Sequence, residues 1–293
     1  MTSVAAARRR LALSRFWADF RTHRAGVAGM VVLLVAVVLA LIAPLFIDEG
    51  VTSVVDAPGP EFGAPSLDFP FGTDESGRSI LLMVWWGSRT SLLIGFLAAL
   101  LSIVIGTVIG IAAGHFRGWV GGALMRVTDW FLVLPSLVTA LVLAAILGGT
   151  TFTVIMAIAV TSWPSTARLI RAQTLAVEAR PYIERSKALG GGHWHITTRH
   201  VLPNVAPLLL ASTTLEVASA IVTESTLAFL GASANKTSWG TMLRSSYDYG
   251  AATHGAWWYI LIPGLAILAV VMAFTLVGRA LEAVLNPRLR RAA

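Results

Sequence analysis

Three groups of side chains in this sequence have types and spacings that invite chemistry. Ser212, Glu216, Ser219 and Thr223 recur at offsets of 4, 3 and 4, which is one stripe of an α-helix. They lie in an apolar run. A carboxylate at mid-membrane costs about 2.5–3.5 kcal/mol and so faces protein or water. The stripe suits either the wall of a translocation pathway or hydrogen bonding between helices. His193, His195 and His200 form a second group. On a helix, positions 193 and 195 point to different sides and no carboxylate is spaced to join them, so no metal site is expected. The third is GTDESGR, residues 72–78, with Asp74, Glu75, Ser76 and, just beyond, Ser79. No base stands near either serine, and the segment reads as a glycine-rich turn, not as a hydrolase. Gly190-Gly191-Gly192 does not follow a strand, and no G-x-x-x-x-G-K-[ST] occurs. Catalytic residues, nucleotide sites and cofactors are therefore not expected in this chain.

The elements that must hold these residues are membrane spans. The 293 residues are 56% hydrophobic and only 13% charged, with mean hydropathy +0.75. A soluble domain carries about 25% charged residues. There is no cysteine, which excludes disulfides and thiolate metal sites. About 20 apolar residues cross the hydrocarbon core, and six segments meet that length: Gly26–Ile47, Ser91–Gly114, Met125–Leu147, Phe152–Ile170, Val205–Gly231 and Trp257–Leu281. The first begins too late and runs too long for a cleaved signal, so it reads as an uncleaved span. The expectation is an all-α polytopic membrane protein.

Six spans place both termini on one side, and the cations choose which. With the termini inside, 18 of the 22 Lys and Arg residues face the cytoplasm; Arg78, Arg89, Lys236 and Arg244 face out. The net charge of +7 then reflects membrane orientation and not a nucleic-acid partner. The outer segment 48–88 is acidic and rich in Pro and Gly, and is expected to be irregular, with one short helix along the membrane surface. Trp257, Trp258 and Tyr259 read as an outer aromatic belt. Arg126 and Asp129, at i and i+3, read as a local ion pair. Glu224, beside the stripe, is given a structural role near the outer end. The organisation expected is 1–88 as tail, first span (about 26–47) and outer loop; 89–283 as a five-helix core; and 284–293 as a basic tail.

The segment ERSKALGGGHWHITTRHVLPN (184–204) stays in water between spans four and five. Pro181 suits the first turn of a helix, and Gly190 suits a left-handed C-cap. A second helix is expected from about His193 to Val201. Pro203 discourages α geometry at Leu202, and Asn204 is a good N-cap for the fifth span. The apolar Tyr182, Leu189, Trp194 and Ile196 give this hairpin anchors that a solvated loop does not need, which favours a protein-docking surface.

Glu184-x5-Gly190 followed by Leu202-Pro203 resembles the EAA loop of ABC importer permeases, E-A-A-x3-G-x9-I-x-L-P. Arg185 and Ser186 stand where that pattern has alanines, and His200 where it has isoleucine. FPFGTDESGRSI (69–80), MRVTDW (125–130) with Pro135, ESTLAFLG (224–231), SWGTML (238–243), IPGLAI (262–267) and NPRLR (286–290) are similar, in order, to the "C"-type permease of dipeptide, oligopeptide and nickel systems. The resemblance implies a type I importer transmembrane domain with an N-terminal extension, located in the cell inner membrane with both termini cytoplasmic. It implies a second permease subunit, a different chain, together with two cytoplasmic ATP-binding subunits and an extracytoplasmic substrate-binding protein. The chain itself would not be an enzyme. It would contact an ATPase subunit through the loop at 178–204, with Tyr182, Glu184, Arg185, Lys187, Ala188, Leu189, Gly190, Gly191, His193, Trp194 and His195. Ser212, Glu216, Ser219 and Thr223 would line the pathway for peptides. Gly72, Thr73, Asp74, Gly77 and Arg78 would form an extracytoplasmic gate or docking surface. The competing reading is an ion-coupled secondary transporter that uses Glu216; a membrane scaffold is a third.

Overall fold

The computed structural model describes residues 14, 16–233 and 237–285. Arg8, Arg9, Arg10, Arg15, Lys236 and the NPRLR tail lie outside the described residues. The described chain is helical apart from one isolated bridge, Thr73 to Ser79. Its helices are α1 Arg24–Phe46, α2 Ile80–His115, α3 Trp119–Val133, α4 Ser136–Ile146, α5 Thr151–Glu178, α6 Pro181–Ala188, α7 His193–Ile196, α8 Leu202–Phe229, α9 Trp239–Asp248 and α10 Trp257–Leu285. Among the described residues five helical stretches are long and apolar enough to cross a membrane, or six if one bent pair counts as a single span.

That bent pair corrects the third span. In place of one helix over Met125–Leu147, α3 and α4 meet at 88°. Pro135 forces the cause: the residue before a proline avoids α geometry, and Leu134 is extended at φ −72°, ψ 133°. The second span is longer than its apolar run. With 36 residues α2 reaches about 54 Å at 1.5 Å per residue, well beyond a hydrocarbon core of about 30 Å. The short helix expected in the outer loop is a single 3₁₀ turn, Glu49–Thr52. Between the fifth and sixth expected spans lies α9, which opens on a capping box: Thr241 N–H donates to Ser238 Oγ at 3.3 Å and Ser238 N–H to Thr241 Oγ1 at 2.8 Å.

α2 is the central rod, packed on α5, α8 and α1, while α10 joins α1 to α8. Its contact with α5 is the most extensive in the molecule. Gly106, Gly110 and Gly114 recur every four residues along it. A β-carbon on Gly106 would stand 2.8 Å from Trp163 O; on Gly110, 2.6 Å from Ala167 O; on Gly114, 2.7 Å from Thr174 Cβ. The backbones therefore touch, and small residues at this spacing are what permits close helix approach in lipid, where apolar burial alone does not drive association. The central core is lined by Ile94, Ala98, Ile155, Ile158, Val217 and Ile221. A separate cluster closes the end of the bundle expected to be cytoplasmic, with Ile111, Ile170, Val177, Ile183, Ile196, Val201 and Val205.

Candidate coupling site

The hairpin between α5 and α8 is made by local rules. Pro181 opens α6, where its missing N–H is harmless. Gly190 closes it at φ +86°, with Gly190 N–H donating to Lys187 O at 3.0 Å and Gly191 N–H to Ser186 O at 2.9 Å. These two bonds are a Schellman cap. A β-carbon on Gly190 would meet nothing within 4 Å, so the position requires glycine for its backbone, not for space. The expected break at Leu202-Pro203 does not form. Residues Thr197–Val201 form a π turn, Leu202 N–H bonds Thr197 O, and Leu202 stays helical at φ −54°, ψ −45°. The wider turn absorbs the proline, as π-bulges do elsewhere. Asn204 is accordingly no N-cap: its Nδ2 donates to His200 O at 2.7 Å.

The hairpin divides into a seat and a tip. Ile183 from α6 and Ile196 from α7 are 0% and 2% exposed and pack on the inner ends of α2 and α5. Taking each out of water is worth roughly 1.5–3 kcal/mol. Ile196 thus belongs to the seat and is not available as a partner anchor. Leu189 and Trp194, by contrast, are 80% and 81% exposed. Tyr182, Glu184, Arg185, Ala188 and His195 are exposed around them, and Gly191 is half-buried. Tyr182, Arg185, Leu189 and His195 border an open groove of about 540 Å³. Two residues expected on the tip, Lys187 and His193, are exposed and also bond back toward the bundle. Lys187 Nζ donates to Glu178 Oε2 at 2.7 Å, and His193 Nδ1 stands 2.8 Å from His115 Nε2. His115 Nδ1 is 2.6 Å from Glu178 Oε1. The Glu178 and His115 side chains are 1% and 3% exposed. Neither was singled out from the sequence. The available signal was that each is a polar residue ending a long apolar helix, with His115 directly after the last of the α2 glycines. The other histidines pair differently, with the His195 and His200 rings 5.6 Å apart. No cluster able to hold a metal occurs among the described residues.

Residues 106–291 match the family described as the binding-protein-dependent transport system inner membrane component. Residues 12–54 match the N-terminal TM domain of oligopeptide transport permease C. The chain belongs to this family of transport permeases. It is similar to the di/tripeptide transport system permease protein of Pseudomonas aeruginosa, 35% identical over 287 residues, covering 96% of this chain and 94% of the relative. Two Bacillus subtilis proteins are 33% identical: the dipeptide permease over 279 residues, 94% of this chain and 85% of the relative, and the oligopeptide permease over 283 residues, 94% and 90%.

The other positions expected to matter in such a permease fare unevenly. In the stripe on α8, Ser212 and Thr223 bond their own helix, to Leu208 O and Ser219 O, both at 2.9 Å. Glu216 accepts from Ser102 on α2 at 3.1 Å, and Ser219 is exposed. Glu224 is 0% exposed between α8, α9 and α2, and Ser225 Oγ donates to it at 3.3 Å. At the outer end, Gly72, Thr73, Asp74 and Gly77 are buried and Arg78 is half-buried, so these side chains offer no open docking face on this chain. Asp74 accepts from Ser76 N–H (2.9 Å), Arg78 N–H (2.8 Å) and Arg78 Nε (2.6 Å). Burial works against the Arg78 charge, but Asp74 and then Glu75 outweigh it and hold its pKa above the ordinary value. Trp258 donates to Thr73 O at 3.1 Å and is buried with Tyr259, so only Trp257 of the expected belt is exposed. Asp129 pairs with Arg168 on α5, at 2.7 Å, and not with Arg126.

Proposed function

We propose that the chain is the permease subunit of an ATP-binding-cassette importer for peptides, forming half of the translocation pathway with a second, different permease chain. Two cytoplasmic subunits bind and hydrolyse ATP, and an extracytoplasmic binding protein delivers the cargo. The observation that carries this reading is the hairpin: bare apolar residues at its tip, on a seat fixed to the two most tightly packed helices. A tip of that kind is a hot-spot surface waiting for a pocket. Closure of the ATPase subunits pushes the tip, and the seat passes the push to α2 and α5. The charge bias supports termini on the cytoplasmic side. The names of the relatives support di- to oligopeptides as cargo. The ion-coupled alternative loses its ground, because the family is a binding-protein-dependent one and Glu216 is held by a neighbouring serine. In this reading residues 1–88 add a first span to a core at 89–283, and Ser212, Glu216, Ser219 and Thr223 face the pathway at the subunit contact.

The test is uptake by the whole complex in proteoliposomes. Labelled peptide enters only with ATP and the binding protein, and the chain alone hydrolyses no ATP. Gly190→Pro, which cannot adopt φ +86°, inserts normally and abolishes uptake. Uptake by that variant at the normal rate, or uptake driven by a proton gradient without ATP, overturns the reading.

A further inference from the structure

The hairpin has two places where a push could be lost. One is the Ala179–Arg180 link after α5; the other is Gly190–Gly192 between its arms. Apolar contacts resist sliding weakly because they have no direction. What spans both weak points is a chain of directed polar contacts: Lys187 on α6 to Glu178 at the end of α5, Glu178 to His115 at the end of α2, and His115 to His193 at the start of α7. One carboxylate thereby reaches both arms of the hairpin and both rods. Its two oxygens are each used once, at 2.7 and 2.6 Å, at the short edge of charge-assisted bonds.

The protons balance without any group left facing its like. An ionised Glu178 accepts from Lys187 and from His115 Nδ1–H. The Nε2 of that neutral imidazole is then an acceptor for His193 Nδ1–H. Phe116 stands against both imidazoles, with centroids 5.0 and 5.4 Å away; His115 is buried, while His193 stays on the surface. The two carboxylate bonds join groups 9 and 63 positions apart in the chain, and the imidazole pair joins groups 78 apart, so none is a by-product of local helix geometry.

We infer that Glu178 is a positioning residue for coupling: through Lys187 and the His115–His193 pair it makes the hairpin and the inner ends of α2 and α5 move as one body. This rests on the coupling role proposed above. Without Glu178 the tip still docks, because Leu189 and Trp194 are untouched, but the push is taken up at the two flexible links.

The absence of cysteine simplifies the test, since paired thiols placed at Leu189 on the tip and at Val104, exposed on α2, are the only ones in this chain, and it is spin-labelled before assembly with its partners. In the assembled complex in nanodiscs, the label-to-label distance distribution is expected to be narrow, and to broaden in Glu178→Ala. In the same variant ATP hydrolysis persists while peptide taken up per ATP falls about tenfold or more, within the usual span of coupling between sites. Glu178→Gln keeps the volume and one acceptor and gives an intermediate loss; it stands in if the alanine variant does not assemble. An unchanged, narrow distribution in both variants overturns the inference. Broadening with undiminished uptake per ATP leaves the rigid seat in place and overturns the coupling role of the hairpin instead.

Discussion

The two ends of this molecule use the same device to opposite effect. At the outer end Asp74, 0% exposed, ties down its turn through Arg78 four residues away and the backbone around it. Gly77, at φ +83°, lies so close to Gly59 that a side chain there would overlap its carbonyl. The result is a closed knot covering the top of α2 and α10. At the inner end Glu178 is as buried, yet its partners come from α2 and α6, far apart in the chain. There the carboxylate fastens a hairpin whose tip is left bare. A buried carboxylate with charged partners is thus neutral as to purpose; what differs is whether the apolar residues nearby are covered. At the outer end Trp258 and Tyr259, on which the turn packs, are covered, although Leu67 in the same loop is fully exposed. At the inner end Leu189 and Trp194 are exposed, and in the proposed reading that pair is the docking surface.

Five substitutions break or sharpen that contrast. Asp74→Ala removes the acceptor of three bonds and leaves Arg78 to Glu75 (2.9 Å) and Thr52 O (3.2 Å), a loss of about 3 kcal/mol, the low end for a broken buried pair. Thermal unfolding of the complex should show it, with little change in affinity for the ATPase subunit. If affinity falls as far as stability, the two ends are not separate devices. Trp194→Ala and Leu189→Ala are the mirror image. Each is expected to weaken ATPase-subunit binding by about 2 kcal/mol or more, as hot-spot residues do, and to shift stability by less than about 0.5 kcal/mol, as exposed sites do. Titration of the ATPase subunit onto nanodiscs measures the first quantity and thermal melts the second. Gly190→Ala, at a left-handed position with open space, should cost about 1–2 kcal/mol of local stability, read as faster amide exchange confined to residues 181–196. Arg168→Ala comes last. Its pair with Asp129 is exposed on both sides, and such pairs contribute about 0–1 kcal/mol; a melting curve should barely move.

Much of this architecture was legible in the sequence, and the misses share a cause. Hydropathy located the spans, and the hairpin followed from Pro181 and Gly190, because both are governed by a few adjacent residues. The kink at Leu134–Pro135 was hidden by continuous apolarity: Pro135 stood in view inside an unbroken greasy run. Pro203 was misjudged the other way, since a π turn upstream kept the helix whole. Asp129 chose Arg168 over Arg126, and the exposed Lys187 and His193 gained bonds to Glu178 and His115, through contacts between helices that sequence proximity does not reveal. The outer belt failed for the same reason. Trp258 and Tyr259 looked like residues for an interface, but the loop at 59–79 folds over them. Local chemistry fixed each element, and long-range contacts decided which faces were left free.

The most direct test of the claim that the inner tip is the ATPase-docking surface is a proximity measurement with single thiols in this cysteine-free chain. One thiol is placed at Leu189 on the tip and, in a separate variant, one at Leu67, which is fully exposed in the outer loop. In the assembled complex a short thiol cross-linker should join position 189 to an ATPase subunit and leave position 67 unjoined. A position 189 that stays free and fully open to alkylation in the assembled complex contradicts the account.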